Sequence, residues 1–409
     1  MLLQDKIAIF TFNRNLPLAV LYLFFNTAGL PEGLLYTTLL TPVFLYLNIK
    51  TGYLKPLMWF VAVSGLYAMI HFIYGVHLFY YLRSWVMAFC NFSFCLLIFH
   101  FLRESKTIGS VFKVLVMLNG MLVLCALIFL GYRQGQNVFW YWVPFTPGVA
   151  PFPRLKLFSS EASIYSLMIA PLFLYYFMSG VKSGFKHVRL ALLILGLSLL
   201  LSLSLGVLLS IFIAISISLL VHRKIYWTNK GIYRLAIVAV AILIIFGLFL
   251  FLNPDNVLSV RISNIYSGED TSARGRTYEA FILAMRMLKE KSLAFGIGLG
   301  QIKVIGKPIV LDYYHYTLIP ESTRIPNACA ETLIYFGFTG LILRLGLQLY
   351  LFFRCKVSRN SFQLMAFTCI FIYQFTGSYI TQIAEYVLWM LAFINCFPQF
   401  NISKQEELK

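Results

Sequence analysis

The run LALLILGLSLLLSLSLGVLLSIFIAISISLLV, from Leu190 to Val221, contains no charged residue. Lys182, Lys186 and Arg189 precede it, and Arg223 and Lys224 follow it. A helix crosses a bilayer in roughly 20 residues, so this run is long for one span and short for two. One tilted span would put one basic cluster on the far side. Two short spans put both clusters on the same side, as the positive-inside rule asks. The break is then expected at Ser202-Leu-Ser-Leu-Gly206, where serine hydroxyls can cover backbone groups freed from the helix.

Similar runs recur along the chain. Of 409 residues, 60% are hydrophobic and 12% are charged. A soluble domain of that length has nowhere to hide so much apolar surface. About twelve spans are expected: Ile7–Asn26, Gly33–Ile49, Leu57–Gly75, Leu78–Leu102, Ile108–Gly131, Ser160–Ser179, Leu190–Ser204, Gly206–Val221, Leu235–Leu252, Cys329–Phe353, Phe362–Thr376 and Ile380–Phe397. The fold class is all-α, a single integral membrane domain over residues 1–409, because backbone in lipid must satisfy its own hydrogen bonds. The in/out alternation of a membrane β-barrel is missing. Lys6, Arg14, Lys50, Lys55, Arg103, Lys106, Lys356, Arg359 and Lys404 then share the cytoplasmic side with the two basic clusters, and both termini are cytoplasmic. Met1–Leu18 does not have the layout of a removable signal peptide. None of the seven cysteines forms a CxxC pair, and most sit inside apolar runs (Cys90, Cys95, Cys125, Cys369), as packing residues do.

A net charge of +18 suits contact with anionic headgroups; spread among span ends, it does not suit nucleic acid. Two loops face outward, residues 132–159 and the long loop 253–326. The second holds Arg261, Arg274, Arg276, Arg286, Lys289, Lys291, Lys303, Lys307 and Arg324, against the topological bias. So much positive charge outside points to an anionic ligand. Within it, residues 274–291 have helical periodicity, with Tyr278, Phe281, Ile282, Met285 and Leu288 on one face. Such a helix is either a surface element or an interfacial lid.

Four groups carry candidate chemistry. Arg154-Leu-Lys-Leu-Phe-Ser-Ser-Glu161-Ala-Ser163 stands at the outer mouth of the sixth span, where Glu161 wants a cation and Arg154 is the nearest. Ser272-Ala-Arg274-Gly-Arg276 places two guanidinium forks at the expected start of the amphipathic helix, a phosphate-favouring position. His315 and Arg324 precede the tenth span, and Phe139-Trp-Tyr-Trp142 suits an interfacial aromatic belt or a sugar platform. Glu385 lies inside the last span, with Tyr379 and Gln382 as candidate partners. Phe295-Gly-Ile-Gly-Leu-Gly300 has no strand–turn–helix context and reads as a flexible turn. No acidic cluster in the outer loops has metal-ligand spacing, so no metal or cofactor is expected.

These features resemble the bacterial repeat-unit polymerases of O-antigen and exopolysaccharide (Wzy type) and their relatives, the O-antigen ligases. The resemblance runs from about Arg154 to Tyr350. Besides the motifs above it includes Pro326-Asn327-Ala-Cys-Ala-Glu331-Thr-Leu-Ile-Tyr-Phe-Gly337-Phe-Thr-Gly340, similar to the family's asparagine-to-Gly-x-x-Gly helix start. It implies a C-type glycosyltransferase in the bacterial inner membrane, with a periplasmic site that needs no metal. The substrate implied is an undecaprenyl-diphosphate-linked oligosaccharide, and the partners implied are a flippase and a chain-length co-polymerase. Arg154, Arg274, Arg276 and Arg324 would hold the diphosphate, with Glu161 or His315 as proton acceptor. Ligases carry a histidine where this chain has Pro326, which favours polymerase over ligase. A lipid-linked oligosaccharide flippase and a non-enzymatic assembly subunit are the readings from other classes.

Overall fold

The structure is a computed structural model that describes residues 16–27, 35–105, 107–132, 136–143, 152–223, 248, 251–315 and 324–402. Its principal helices are α1 Leu54–Ile73, α2 Leu78–Glu104, α3 Ile108–Phe129, α4 Ala162–Ser183, α5 Arg189–Ser202, α6 Leu205–Val221, α7 Val257–Ser267, α8 Thr271–Arg276, α9 Tyr278–Lys289, α10 Gly306–Tyr314, α11 Ala328–Arg354, α12 Ser361–Tyr373 and α13 Ile383–Phe393. Helices α1 to α4 and α11 are long and apolar enough to cross a membrane; Leu16–Phe25, α5, α6, α12 and α13 are shorter apolar helices. The expected span Leu235–Leu252 lies almost wholly outside the described residues. Large apolar side chains face outward on α1 and the second half of α11, among them Trp59, Leu66, Ile73, Ile342 and Phe353. In water such a surface would aggregate; against lipid it is the stable arrangement. The chain is an all-α, multi-pass membrane protein.

Helix α4 is the axis of the main core: almost every side chain from Ala162 to Leu174 is buried, against α3, α5, α12 and α13. The break between α5 and α6 falls inside the expected stretch, at Leu203, whose φ of 48° is left-handed. The Ser202 hydroxyl bonds the Leu199 carbonyl at 2.6 Å and receives the Ser166 hydroxyl at 2.5 Å.

A second, smaller core joins α9, the glycine stretch 295–300 and the first half of α11. Here α11 is interrupted at Gly337 (φ 66°, ψ −166°). Four backbone groups around the interruption are met by the glycine stretch and the residues before it. Ile297 and Gly298 amides donate to the Ile334 and Tyr335 carbonyls at 2.8 and 3.2 Å. Phe338 and Thr339 amides donate to the Leu293 and Ala294 carbonyls at 3.0 and 3.1 Å. The stretch is thus a splint for a broken helix, not a flexible turn.

Two features of the loops expected outside differ from the sequence reading. Residues 271–289 form two helices that meet at Thr277 (φ −112°, ψ −112°), because the Asp270 carboxylate caps the Ala273 amide at 2.7 Å and starts a helix early. The buried face of α9 is Glu279, Ala280, Leu283, Ala284, Met287 and Leu288, while Tyr278 and Ile282 are exposed. Its apolar stripe is packed inside the protein and is not presented to the bilayer as a lid. Between α3 and α4, β1 Trp140–Val143 and β2 Phe152–Leu155 pair antiparallel and set Tyr141 opposite Arg154. Trp140 is a core residue, its indole N–H on the Ala126 carbonyl at 2.8 Å; Trp142 stays exposed.

Candidate functional site

Arg154 is placed by two breaks in regular structure. The β1–β2 pair carries it, and its Nε donates to the Ser202 carbonyl at 3.0 Å. The α5–α6 break frees that carbonyl from its helical partner. The serine-rich stretch and the arginine motif, separate in the sequence, therefore form one structure. Burial pulls the Arg154 guanidinium down to about 10. The positive charges of Arg261 and Arg276 act in the same sense, and Tyr141 and Glu161 oppose them.

Glu161 is the N-cap residue of α4 in extended conformation, and the Ser163 hydroxyl donates to its Oε2 at 3.1 Å. Arg154, the partner expected for it, lies in its electrostatic neighbourhood. Tyr141 is pushed up by burial and by Glu161, and drawn down by Arg154 and Arg276.

The two arginines of the Arg274-Gly-Arg276 motif separate. Arg274 turns to the buried Glu279 in an ion pair and bonds the Gly268 carbonyl at 3.2 Å. Tyr314 completes that carboxylate's shell at 2.8 Å, so Arg274 ties α8, α9 and α10 together. Arg276 makes no ion pair among the described residues and stands in the field of Arg154. Asn327 fixes its backbone, donating to the Arg276 carbonyl at 2.9 Å and the Phe375 carbonyl at 2.7 Å. The same side chain accepts the Ala330 amide at 2.9 Å as the N-cap of α11. Arg261 is added by an ion pair to Asp270 at 3.5 Å.

Arg324 bonds the Thr381 hydroxyl at 3.2 Å and lies 5.6 Å from the centre of the Tyr379 ring. Tyr379 joins the two sides of the site: Glu161, Arg276, Glu331 and Arg324 all act on its hydroxyl. Burial and Glu161 push that hydroxyl up, and the two arginines oppose them. His315 ends α10 in a left-handed conformation and is exposed. Among the described residues no hydrogen bond or ion pair joins it to this cluster.

Two cavities meet at Arg324. The smaller, about 190 Å³, is lined by Ser272, Gly275, Arg276, Tyr314 and Arg324. The larger, about 780 Å³, runs between α1, α2 and α11. Its charged lining is Arg83, Lys303, Arg324, Glu331 and Arg344. Its far end is aromatic, with Trp59, Phe60 and Phe92. A slot that is aromatic at one end and cationic at the other suits a ligand with an apolar chain and an anionic head.

Arg154, Glu161, Arg276 and Arg324 therefore converge, whereas Arg274 and His315 are directed elsewhere. Arg261, Tyr141, Tyr379 and Glu331 join them. Arg261 was visible as one of many loop cations. The tyrosines and Glu331 carry no local signal, since each reads as an interfacial or helix-entry residue until the chain is folded. None of the curated proteins compared with the chain matches it. Residues 190–345 match the family model described as O-Antigen ligase, a stretch that begins at α5 and takes in Arg261, Arg276, Arg324 and Glu331. Over those residues the chain is similar to the O-antigen ligase family.

Proposed function

We propose that the protein is a repeat-unit polymerase of surface polysaccharide, a glycosyltransferase acting at the outer face of the bacterial inner membrane with both termini cytoplasmic. The donor is a growing glycan on undecaprenyl diphosphate, and the acceptor is a hydroxyl of a newly delivered lipid-linked repeat unit. The observation that carries this reading is the convergence of Arg154, Arg261 and Arg276 beside Glu161, with Arg324 where the two cavities meet. Like charges packed together repel, and a multiply charged anion relieves that cost. As the diphosphate departs it gains charge, which preorganised guanidinium groups offset in a site shielded from water. In this reading the arginines supply the positive charge and no divalent ion is required. A flippase and a co-polymerase are the partners this role calls for.

The O-antigen ligase reading has one observation of its own, the description of the matching family model. Pro326, in place of the ligases' histidine, favours the polymerase. The test is the purified protein in liposomes, supplied with a lipid-diphosphate-linked repeat unit and, separately, with lipid A-core. A ladder of multiples from the first supports polymerase; transfer only to lipid A-core makes it a ligase; neither product removes both. Arg276→Ala is expected to slow transfer by about 10²–10³-fold, the cost of removing one electrostatic donor from such a site. Arg276→Lys is expected to fall between, because it keeps charge and loses the fork. Arg274→Ala is expected to act mainly on stability, read as a lowered Tm with the rate per folded molecule kept.

A further inference from the structure

Glu331 sits in the first turn of α11, its amide on the Asn327 carbonyl at 2.8 Å. Asn327 also holds the Arg276 backbone, so one asparagine sets the carboxylate and the arginine in a common frame. Glu331 is 2% exposed yet lines the larger cavity at its polar end. Its Oε2 accepts the Ile380 amide at 2.7 Å, and Tyr335 hydrogen-bonds it from the next turn. Among the described residues no cation lies at ion-pair distance from it. Arg324 is near, engaged with Thr381, the residue after Ile380. A carboxylate taken out of water without an ion-pair partner is costly, and such groups in membrane proteins mark chemistry. The other candidates are placed differently. Glu161 is bonded by Ser163 in the field of the arginines, and His315 is exposed at the end of α10.

We propose that Glu331 is the proton acceptor of the glycosyl transfer. This rests on the transfer reading above. An acceptor hydroxyl held at the polar end of the cavity gives its proton to the Glu331 carboxylate as its oxygen bonds the anomeric carbon. The bond from that carbon to the diphosphate oxygen breaks, and its electron pair leaves on the diphosphate between Arg276 and Arg324.

The experiment compares wild type, Glu331→Gln, Glu331→Asp, Glu331→Ala and Glu161→Gln in liposomes holding donor and acceptor lipids. Rate is followed against pH, and donor binding is measured separately. Glu331→Gln retains an acceptor for the Ile380 amide and loses the base. It is expected to slow transfer by about 10²–10⁴-fold with donor binding unchanged, and to lose the acidic limb of the pH–rate profile. Glu331→Asp is expected to recover part of the rate with that limb present; it is also the informative variant if the glutamine protein does not fold. Arg324, Tyr335, Arg344, Tyr379, Glu385 and Tyr386 face Glu331 and stay unchanged in all variants. A Glu331→Gln protein with wild-type rate and profile overturns the proposal. So does an active Gln variant beside an inactive Ala variant, which would leave Glu331 only as a tie to Ile380. A Glu161→Gln protein that alone loses the acidic limb assigns the role to Glu161. Wild type that binds both lipids and transfers nothing overturns the transfer reading itself, and this inference with it.

Discussion

Gly337→Ala is expected to leave little folded protein in the membrane. The position has φ 66° and ψ −166°, a region that side-chain-bearing residues rarely adopt. A Cβ there would stand 2.3 Å from the Ala294 carbonyl oxygen and 2.6 Å from the Gly296 nitrogen. These are backbone atoms and cannot swing aside. Relief means parting the splint from α11, which would strand the Ile334, Tyr335, Phe338 and Thr339 backbone groups. In lipid an unmet backbone group costs several kcal/mol, so the expected loss is about 3 kcal/mol or more. Gly296→Ala meets the same wall from the other side, with its Cβ 2.5 Å from the Ile334 carbonyl oxygen. Gly52→Ala, also at positive φ but in open space, is the control and is expected to cost about 1 kcal/mol. Yield of monodisperse detergent-solubilised protein and its Tm decide it. A Gly337→Ala protein as stable as the Gly52→Ala one would mean that the break is not held by this contact.

Arg344→Met is the second large effect. Arg344 forms a buried ion pair with Glu385, and its Nε and Nη1 donate to Gln374 at 3.0 Å and Thr332 at 3.1 Å. Ser378 and Trp389 complete the Glu385 carboxylate, and Gln348 pairs with Gln374. Glu385 thus turns to Arg344, and the Tyr379 and Gln382 partnerships read from the sequence are replaced. Removing the cation leaves a carboxylate in the membrane interior with no ion-pair partner, a loss of about 3–5 kcal/mol. Arg344→Met with Glu385→Met is expected to recover most of that loss, since two apolar groups strand no charge. Thermal unfolding of the two singles and the double in one detergent gives the coupling. Additive losses would show that the pair does not act as a unit.

Both predictions concern features that no window of the sequence displays. Arg344 reaches back to Thr332, twelve positions earlier, only because α11 folds at Gly337; along a straight helix the two would be far apart. The Gly-x-x-Gly spacing marked Gly337 as special, and the Phe295–Gly300 stretch looked like a turn, but nothing local says that one closes the other. The amphipathic stripe of α9 was displaced in the same way. Periodicity ranks side chains by hydrophobicity, and it could not foresee Glu279 turning inward to hold Arg274 and Tyr314.

The sequence by itself determined the helices and their membrane setting. Apolar length, charge bias and serine-rich breaks act within a few turns of chain, and so could be read from it. The same held for the Ser202–Gly206 break and for Arg154 and Glu161 at a helix mouth. Only the tertiary structure decided which cations share a site: Arg276 but not Arg274, with Arg261, Tyr379 and Glu331 brought in from remote segments. The physical reason is that a charge is placed by whatever neutralises or repels it, and in a folded membrane protein that neighbour comes from another helix.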